Sequence, residues 1–157
     1  MTRLYGRALR GQRVHDSVPN GTWHTTTMIA AVSADGPRAP FVFSGATSGD
    51  AFRAYVEHVL VPELGPEDIV VMDNLSSHKD HTARQMILAT GAQIWDLPPY
   101  SPDLNPIEKM WSKVKAFLRK VKARTLDELT DAIAESLLTI ADEDVIGWFA
   151  SCGYSIS

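Results

Sequence analysis

The sequence predicts an α/β protein, a mixed sheet with helices on its faces. Three observations carry this. Residues 22–34 and 39–44 are β-branched and apolar runs split by the turn signal Asp35-Gly36-Pro37, which reads as an antiparallel hairpin. Two later apolar runs, 68–72 and 92–97, have the character of buried strands. Segments with helical spacing separate and follow them. The order is hairpin, helix, strand, helix, strand, helix, helix, and such alternation places helices over a sheet.

Each element has its own signal. Residues 1–20 are rich in Gly and Arg, lack a period, and read as a loop or short edge strands. Phe52, Tyr55, Val56 and Val59 recur at helical spacing over 50–60, and Pro62 ends that helix. Residues 80–90 form a second helix with Gly91 as its stop. After a Pro-rich loop, Asn105 has the character of an N-cap with Pro106 at the first helical position. Ile107, Trp111, Val114, Leu118 and Val121 then mark an apolar stripe. Glu108, Ser112, Lys115, Arg119 and Lys122 mark the neighbouring one. Leu126, Leu129, Ile133, Leu137 and Ile140 define a last amphipathic helix. Trp95 and Trp111 are expected in the core, and Trp23 carries no functional signal.

Composition sets the outer limits. A chain of 157 residues with 45% hydrophobic content fits one globular domain, taken as 1–157, and is too apolar for disorder. It has no apolar run near the ~20 residues of a membrane span and no export signal. Cys152 is the one cysteine, so neither a disulfide within the chain nor a cysteine-based zinc site is possible. A cytoplasmic location is the expectation.

The net charge of −4 argues against nucleic acid, but its distribution argues for it. Residues 109–124 hold seven basic side chains and no acidic one, whereas 126–145 hold seven acidic and no basic one. Arg3, Arg7, Arg10 and Arg13 form a second basic cluster. Segregated charge steers an anionic partner to one face. Lys109, Lys113, Lys115, Arg119, Lys120 and Lys122 are the candidate phosphate contacts, with a merely solvated helix face as the plain alternative.

Two carboxylates attract attention. Asp73 follows the run Ile69-Val-Val-Met, at the end of a strand where α/β sheets bind ligands. It could equally open a turn with Asn74. Glu108 stands third in a helix behind Asn105, a spacing that suits a capping box as well as a metal ligand. Asn74, His78 and Asn105 are the candidate supporting residues. Pro98, Pro99 and Tyr100 are expected to stiffen the loop that leads to Glu108.

The segments Asp-Ile-Val-Val-Met-Asp73-Asn-Leu-Ser-Ser-His78-Lys79 and Pro98-Pro-Tyr-Ser-Pro-Asp-Leu-Asn-Pro-Ile-Glu108 resemble the mariner-like bacterial insertion-sequence transposases of the DDE superfamily, the insertion sequence 630 group. Residues 40–43 and 52–55 share the likeness, which spans roughly 4–155. The Pro-rich motif ending in Glu108 is specific enough to outweigh the capping reading. The resemblance implies a ribonuclease-H-like fold and two divalent cations, Mg2+ or Mn2+, held by carboxylates. One cation activates water or the DNA 3′ hydroxyl, and the other stabilises the leaving oxygen. It assigns Asp73 and Glu108 as the second and third catalytic carboxylates and metal ligands. The partners it implies are transposon-end DNA and a TA target, with nucleoid association when DNA is bound.

One part of the family pattern is not found. The first carboxylate follows a central strand preceded by a helix-turn-helix region, and neither Asp16 nor Asp35 follows a buried apolar run. The expectation is an N-terminally truncated catalytic domain lacking the first central strand. Its sheet would show a gap, a substitute pairing, or a need for a partner, either a second copy or an upstream-frame transposase product. DNA cleavage and strand transfer by this chain alone would be impaired. The alternative is a non-enzymatic remnant that binds DNA or transposase.

Overall fold

The computed structural model describes residues 6–15 and 25–155. Arg3, Asp16 and Trp23, together with the start of the first predicted strand, lie outside the described residues. Residues 6–15 have no helix or strand, as their composition suggests.

The hairpin forms from β1 (Thr26–Ser33) and β2 (Gly36–Ser44), paired antiparallel from Thr26↔Ser44 to Ser33↔Gly36. Gly36 takes φ 118 at the turn, a conformation open to glycine. The second strand begins earlier than its prolines suggest. Pro37 and Pro40 are tolerated because β2 pairs on one edge only, so a missing N–H breaks no second ladder. A bulge sets Ala30 opposite Ala39 and Pro40, with Ala39 at φ 49.

Helix α1 (Gly49–Tyr55) is capped by the Ser48 hydroxyl, which accepts from the Ala51 N–H at 3.1 Å. The predicted helix over 50–60 does continue, but as a wide π turn (Val56–Leu60) and a 3₁₀ turn (Val61–Glu63) containing Pro62. Strand β3 (Ile69–Met72), helix α2 (His81–Ala89) and strand β4 (Gln93–Asp96) make a parallel βαβ unit, with Ile69↔Gln93 through Met72↔Asp96 in register. Gly91 does stop α2. It takes φ 90, and a Cβ there would meet Pro66 at 2.9 Å. Helices α3 (Pro106–Val121), α4 (Leu126–Leu138) and α5 (Asp142–Ser151) complete the described chain.

The hairpin is covered on both faces. Alternating residues of β1 divide between two cores, as the pleat requires. Met28, Ala30 and Val32 pack with Met110, Val114 and Leu118 of α3 and with Ala132 and Ile133 of α4. Ile29 and Ala31 pack with Phe52, Tyr55, Val56, Met72 and Ile87.

Four sequence expectations need correction. The buried line of α3 runs through Met110, Val114 and Leu118, while Val121 is exposed as the helix ends in the left-handed Lys122 (φ 56). The segment after α4 holds a separate helix, α5. Its Val145, Trp148, Phe149 and Cys152 carry the helical spacing that would have revealed it. Trp95 is 55% exposed. Likewise Ile69 and Val71 are exposed, although their run reads as a strand covered on both faces.

Ile69, Val71 and, by its register with Val71, Trp95 lie on one face of the β3–β4 pair, and that face is left open. Among the described residues, four strands form two separate two-stranded sheets. A cavity of about 440 Å³ lies between β1 and β3, walled by 29–34 on one side and 68–73 on the other. Consecutive strand residues point to opposite faces, so a cavity lined by every residue of both runs lies at the strand edges. The expected gap in the sheet is therefore present among the described residues.

Candidate active site

Asp73 is placed by β3, one residue beyond buried Met72. The chain then turns sharply. The Leu75 N–H donates to Asp73 Oδ1 at 3.0 Å, and the 3₁₀ turn Ser76–Lys79 brings His78 back over the same carboxylate. His78 Nδ1 lies 2.7 Å from Oδ1, but off the direction of a hydrogen bond. The imidazole packs on Phe52 with ring centroids 4.8 Å apart. So Asp73 opens a turn and also presents a carboxylate, and Oδ2 takes no bond from the described residues. The turn and ligand readings are compatible.

Glu108 lies in the first turn of α3, behind the buried Pro106. Asn105 holds the N-cap position by its backbone, but its side chain makes no cap bond. The Glu108 N–H bonds to the Asn105 carbonyl at 3.1 Å. The Glu108 side chain is exposed and takes no hydrogen bond or ion pair among the described residues, so the capping box allowed by the spacing is not formed. Asp73 and His78 wall the cavity together with Asn105, Pro106 and Ile107, which brings the end of β3 and the start of α3 to one place.

The loop between them is braced from behind. Asn74 Nδ2 donates to the Leu97 carbonyl at 2.6 Å, and the Tyr154 hydroxyl donates to the Leu104 carbonyl at 3.0 Å. Asn74 thus holds the loop and leaves the carboxylate pair to others. The sequence does not mark Tyr154, since one Tyr beyond the last helix carries no pattern. Tyr100 does not stiffen the loop: it is fully exposed, at φ 59.

A family model, DDE superfamily endonuclease, matches residues 1–130, which contain both carboxylates. The chain belongs to the DDE superfamily endonucleases. Its fold matches that of the Mos1 mariner transposase. In the Mos1 strand transfer complex the TM-score is 0.75 at 15% identity, covering 96% of this chain and 47% of that one. For the Mos1 mariner paired-end complex with Mn it is 0.76 at 16% identity, covering 94% and 46%. A pre-cleavage Mos1 transpososome gives 0.71 at 15% identity, with 99% and 53% covered. The chain thus spans about half the length of the transposase chains it matches. No curated protein matches the sequence.

For a DDE endonuclease the donor chemistry is suitable but sparse. Two carboxylates with unused oxygens suit a hard divalent cation. Among the described residues, however, no group of three His, Cys, Asp or Glu side chains could hold a metal. Asp96 ends the neighbouring strand, but Arg84 takes both of its oxygens at 2.8 Å and holds its carboxyl below the usual range. Asp35 is in the hairpin turn.

The basic face of the endonuclease is partly engaged. Lys113 forms an ion pair with Asp144, which holds α5 against α3 and lowers the Asp144 carboxyl, with help from the Ala141 N–H. Lys109, Lys115, Arg119 and Lys120 are exposed. Of these, Lys115 and Arg119 continue the stripe that begins at Glu108, about two and three helical turns along α3. Lys122 forms the left-handed end of that helix.

No helix among the described residues is long and apolar enough to cross a membrane.

Proposed function

We propose that this chain is the catalytic portion of a mariner-like transposase of the insertion sequence 630 group, acting in metal-dependent DNA cleavage and strand transfer. One observation carries the reading. Asp73 and the first turn of α3 wall one cavity, and both carboxylates keep oxygens that no protein donor uses. Asp73 and Glu108 are the ligands for Mg2+ or Mn2+. Two bound cations would activate the attacking oxygen and neutralise the leaving one.

The chain's own residues have separate tasks. The Leu75 N–H fixes one oxygen of Asp73, with the His78 ring packed close beside it, and so aims the other. Pro106 and the braced loop fix the start of α3, and with it the Glu108 backbone. Lys109, Lys115, Arg119 and Lys120 bind phosphates along the helix that begins at Glu108. The DNA substrates in this reading are transposon ends and a TA target.

With the first carboxylate not among the described ligands, residues 6–15 and 25–155 by themselves hold the metals poorly, and DNA cutting is slow or absent until that carboxylate is supplied. The non-enzymatic reading, a DNA- or transposase-binding remnant, is favoured by the lack of a three-ligand group among the described residues. A nicking assay on supercoiled plasmid with Mg2+ or Mn2+ separates the two. The assay uses the chain alone and the chain supplied with an apolar strand ending in Asp. Nicking that Asp73→Asn and Glu108→Gln each abolish supports the enzyme. Salt-sensitive DNA binding without nicking in either form supports the remnant.

A further inference from the structure

We infer that Tyr100 is a positioning residue for DNA. Its ring stacks on the base at the end of a DNA strand and holds that end beside the carboxylates. The placement of the end rests on the proposed function. The stack itself rests on the loop that carries Tyr100.

Three observations carry this. First, nothing in the folded chain accounts for the ring. Tyr100 is fully exposed and forms no hydrogen bond or ring contact among the described residues. Its φ of 59 lies in the left-handed region, where a bulky side chain is an outlier. Gly or Asn fits that conformation better. An aromatic ring in water on a strained backbone adds nothing to stability, and strain of this kind collects at functional sites.

Second, the backbone under the ring is held still. Pro98 and Pro99 precede it and Pro102 follows, each fixing its own φ. The Ser101 carbonyl accepts the Leu104 N–H at 3.2 Å and closes the turn Pro102–Leu104. Asn74 and Tyr154 tie the two ends of the loop through the Leu97 and Leu104 carbonyls. A ring presented in this way loses little freedom when it is bound.

Third, the position suits DNA. Leu97 is tied to Asn74, the neighbour of Asp73, and Tyr100 follows Leu97 by three residues. No more than about 11 Å of chain separates Tyr100 from Leu97, which is about three nucleotide steps at roughly 3.4 Å each. The same loop leads into α3, where Lys109, Lys115 and Arg119 are exposed. The chemistry then selects the occupant. A base inside a duplex is already stacked on both faces. A strand end has one face uncovered, and cutting a strand makes such an end. Every base has a π-face, so the stack tolerates any sequence.

The test uses the full chain without added metal and a short blunt duplex. The duplex carries a fluorescent adenine analogue, whose emission falls on stacking against an aromatic ring, at the 3′ terminus or at the centre. Binding should quench the terminal probe and leave the central one unchanged. Tyr100→Asn should abolish the quenching and weaken the blunt duplex roughly tenfold, while Tyr100→Trp keeps both. A relaxed closed circle, which has no ends, should bind wild type and Tyr100→Asn equally. The Tm of Tyr100→Asn should equal the wild type's or exceed it by up to about 3 °C, because strain is removed and no contact is lost.

Equal quenching at both positions, an unchanged affinity for the blunt duplex in Tyr100→Asn, or a fall in its Tm overturns the inference. Self-association of the free chain that Tyr100→Asn removes overturns it in favour of a contact with a second copy. Terminal quenching without metal-dependent nicking leaves the stack standing and removes the proposed function. Nicking that Asp73→Asn abolishes, with equal affinity for ends in wild type and Tyr100→Asn, does the reverse.

Discussion

His78 Nδ1 and Asp73 Oδ1 lie 2.7 Å apart at the end of β3. The same oxygen accepts the Leu75 N–H, so one side of the carboxylate is held and the other is left open. A ligand aimed in this way loses affinity when its support is removed. His78→Ala should weaken Mn2+ binding on the order of tenfold, short of the complete loss expected for Asp73→Asn. Calorimetric titration of both variants checks the ranking, and equal affinities in wild type and His78→Ala would remove the positioning role.

The two lysines of α3 should behave differently. Lys115→Ala should lower DNA affinity and reduce the salt slope by about 1, with a stability change within about 0.5 kcal/mol. Lys113→Ala breaks the tie to Asp144 at a partly exposed pair. It should cost up to about 1 kcal/mol of stability and change DNA binding less. Fluorescence anisotropy across a salt series, with denaturant melts, measures both effects. Loss of DNA affinity in Lys113→Ala alone would contradict the assignment.

Arg53 grips Asp80 through Nη2 at 2.7 Å, and with the Ala83 N–H it lowers the Asp80 carboxyl from 3.8 to about 2. A carboxyl depressed in the folded state adds stability above its ordinary pKa. That stability fades as pH falls from about 4 to about 2. Asp80→Asn keeps a capping side chain for α2 but removes the charge, so its stability should change less across that window than the wild type's. Parallel acid melts of the two proteins check this, and identical curves would show that the pair contributes nothing.

Met110 is fully buried, where α3 meets the hairpin and α4. Met110→Ala should cost about 2–5 kcal/mol, read by urea denaturation. Val121→Ala, at the exposed end of the same helix, should cost less than about 1 kcal/mol. The reverse order would mean that the apolar stripe faces the way sequence spacing alone suggests.

The hairpin, the βαβ unit and the start of α3 were legible because each has a local cause: a turn at Asp35-Gly36, a stop at Gly91, and Pro106 after Asn105. Asp73 and Glu108 were legible through the segments around them. What spacing could not show was the neighbourhood of each element. Ile69-Val-Val-Met reads as a strand covered on both sides, and only the fold reveals its open face. Trp95 reads as core for the same reason. Lys113 carries the same local signal as Lys115. Asp144, which lies on another helix, decides that Lys113 braces α5. The cap role of Asn105 and Glu108 failed because the hydrogen bonds were not made, although the spacing permits them.

Metal binding at Asp73 and Glu108 is tested by Mn2+ titration of the full chain, followed by amide NMR. Paramagnetic broadening should centre on residues 73–75 and 105–109 and be lost in both Asp73→Asn and Glu108→Gln. Broadening centred on the acidic residues of α4 and α5, or unchanged in those variants, would contradict it.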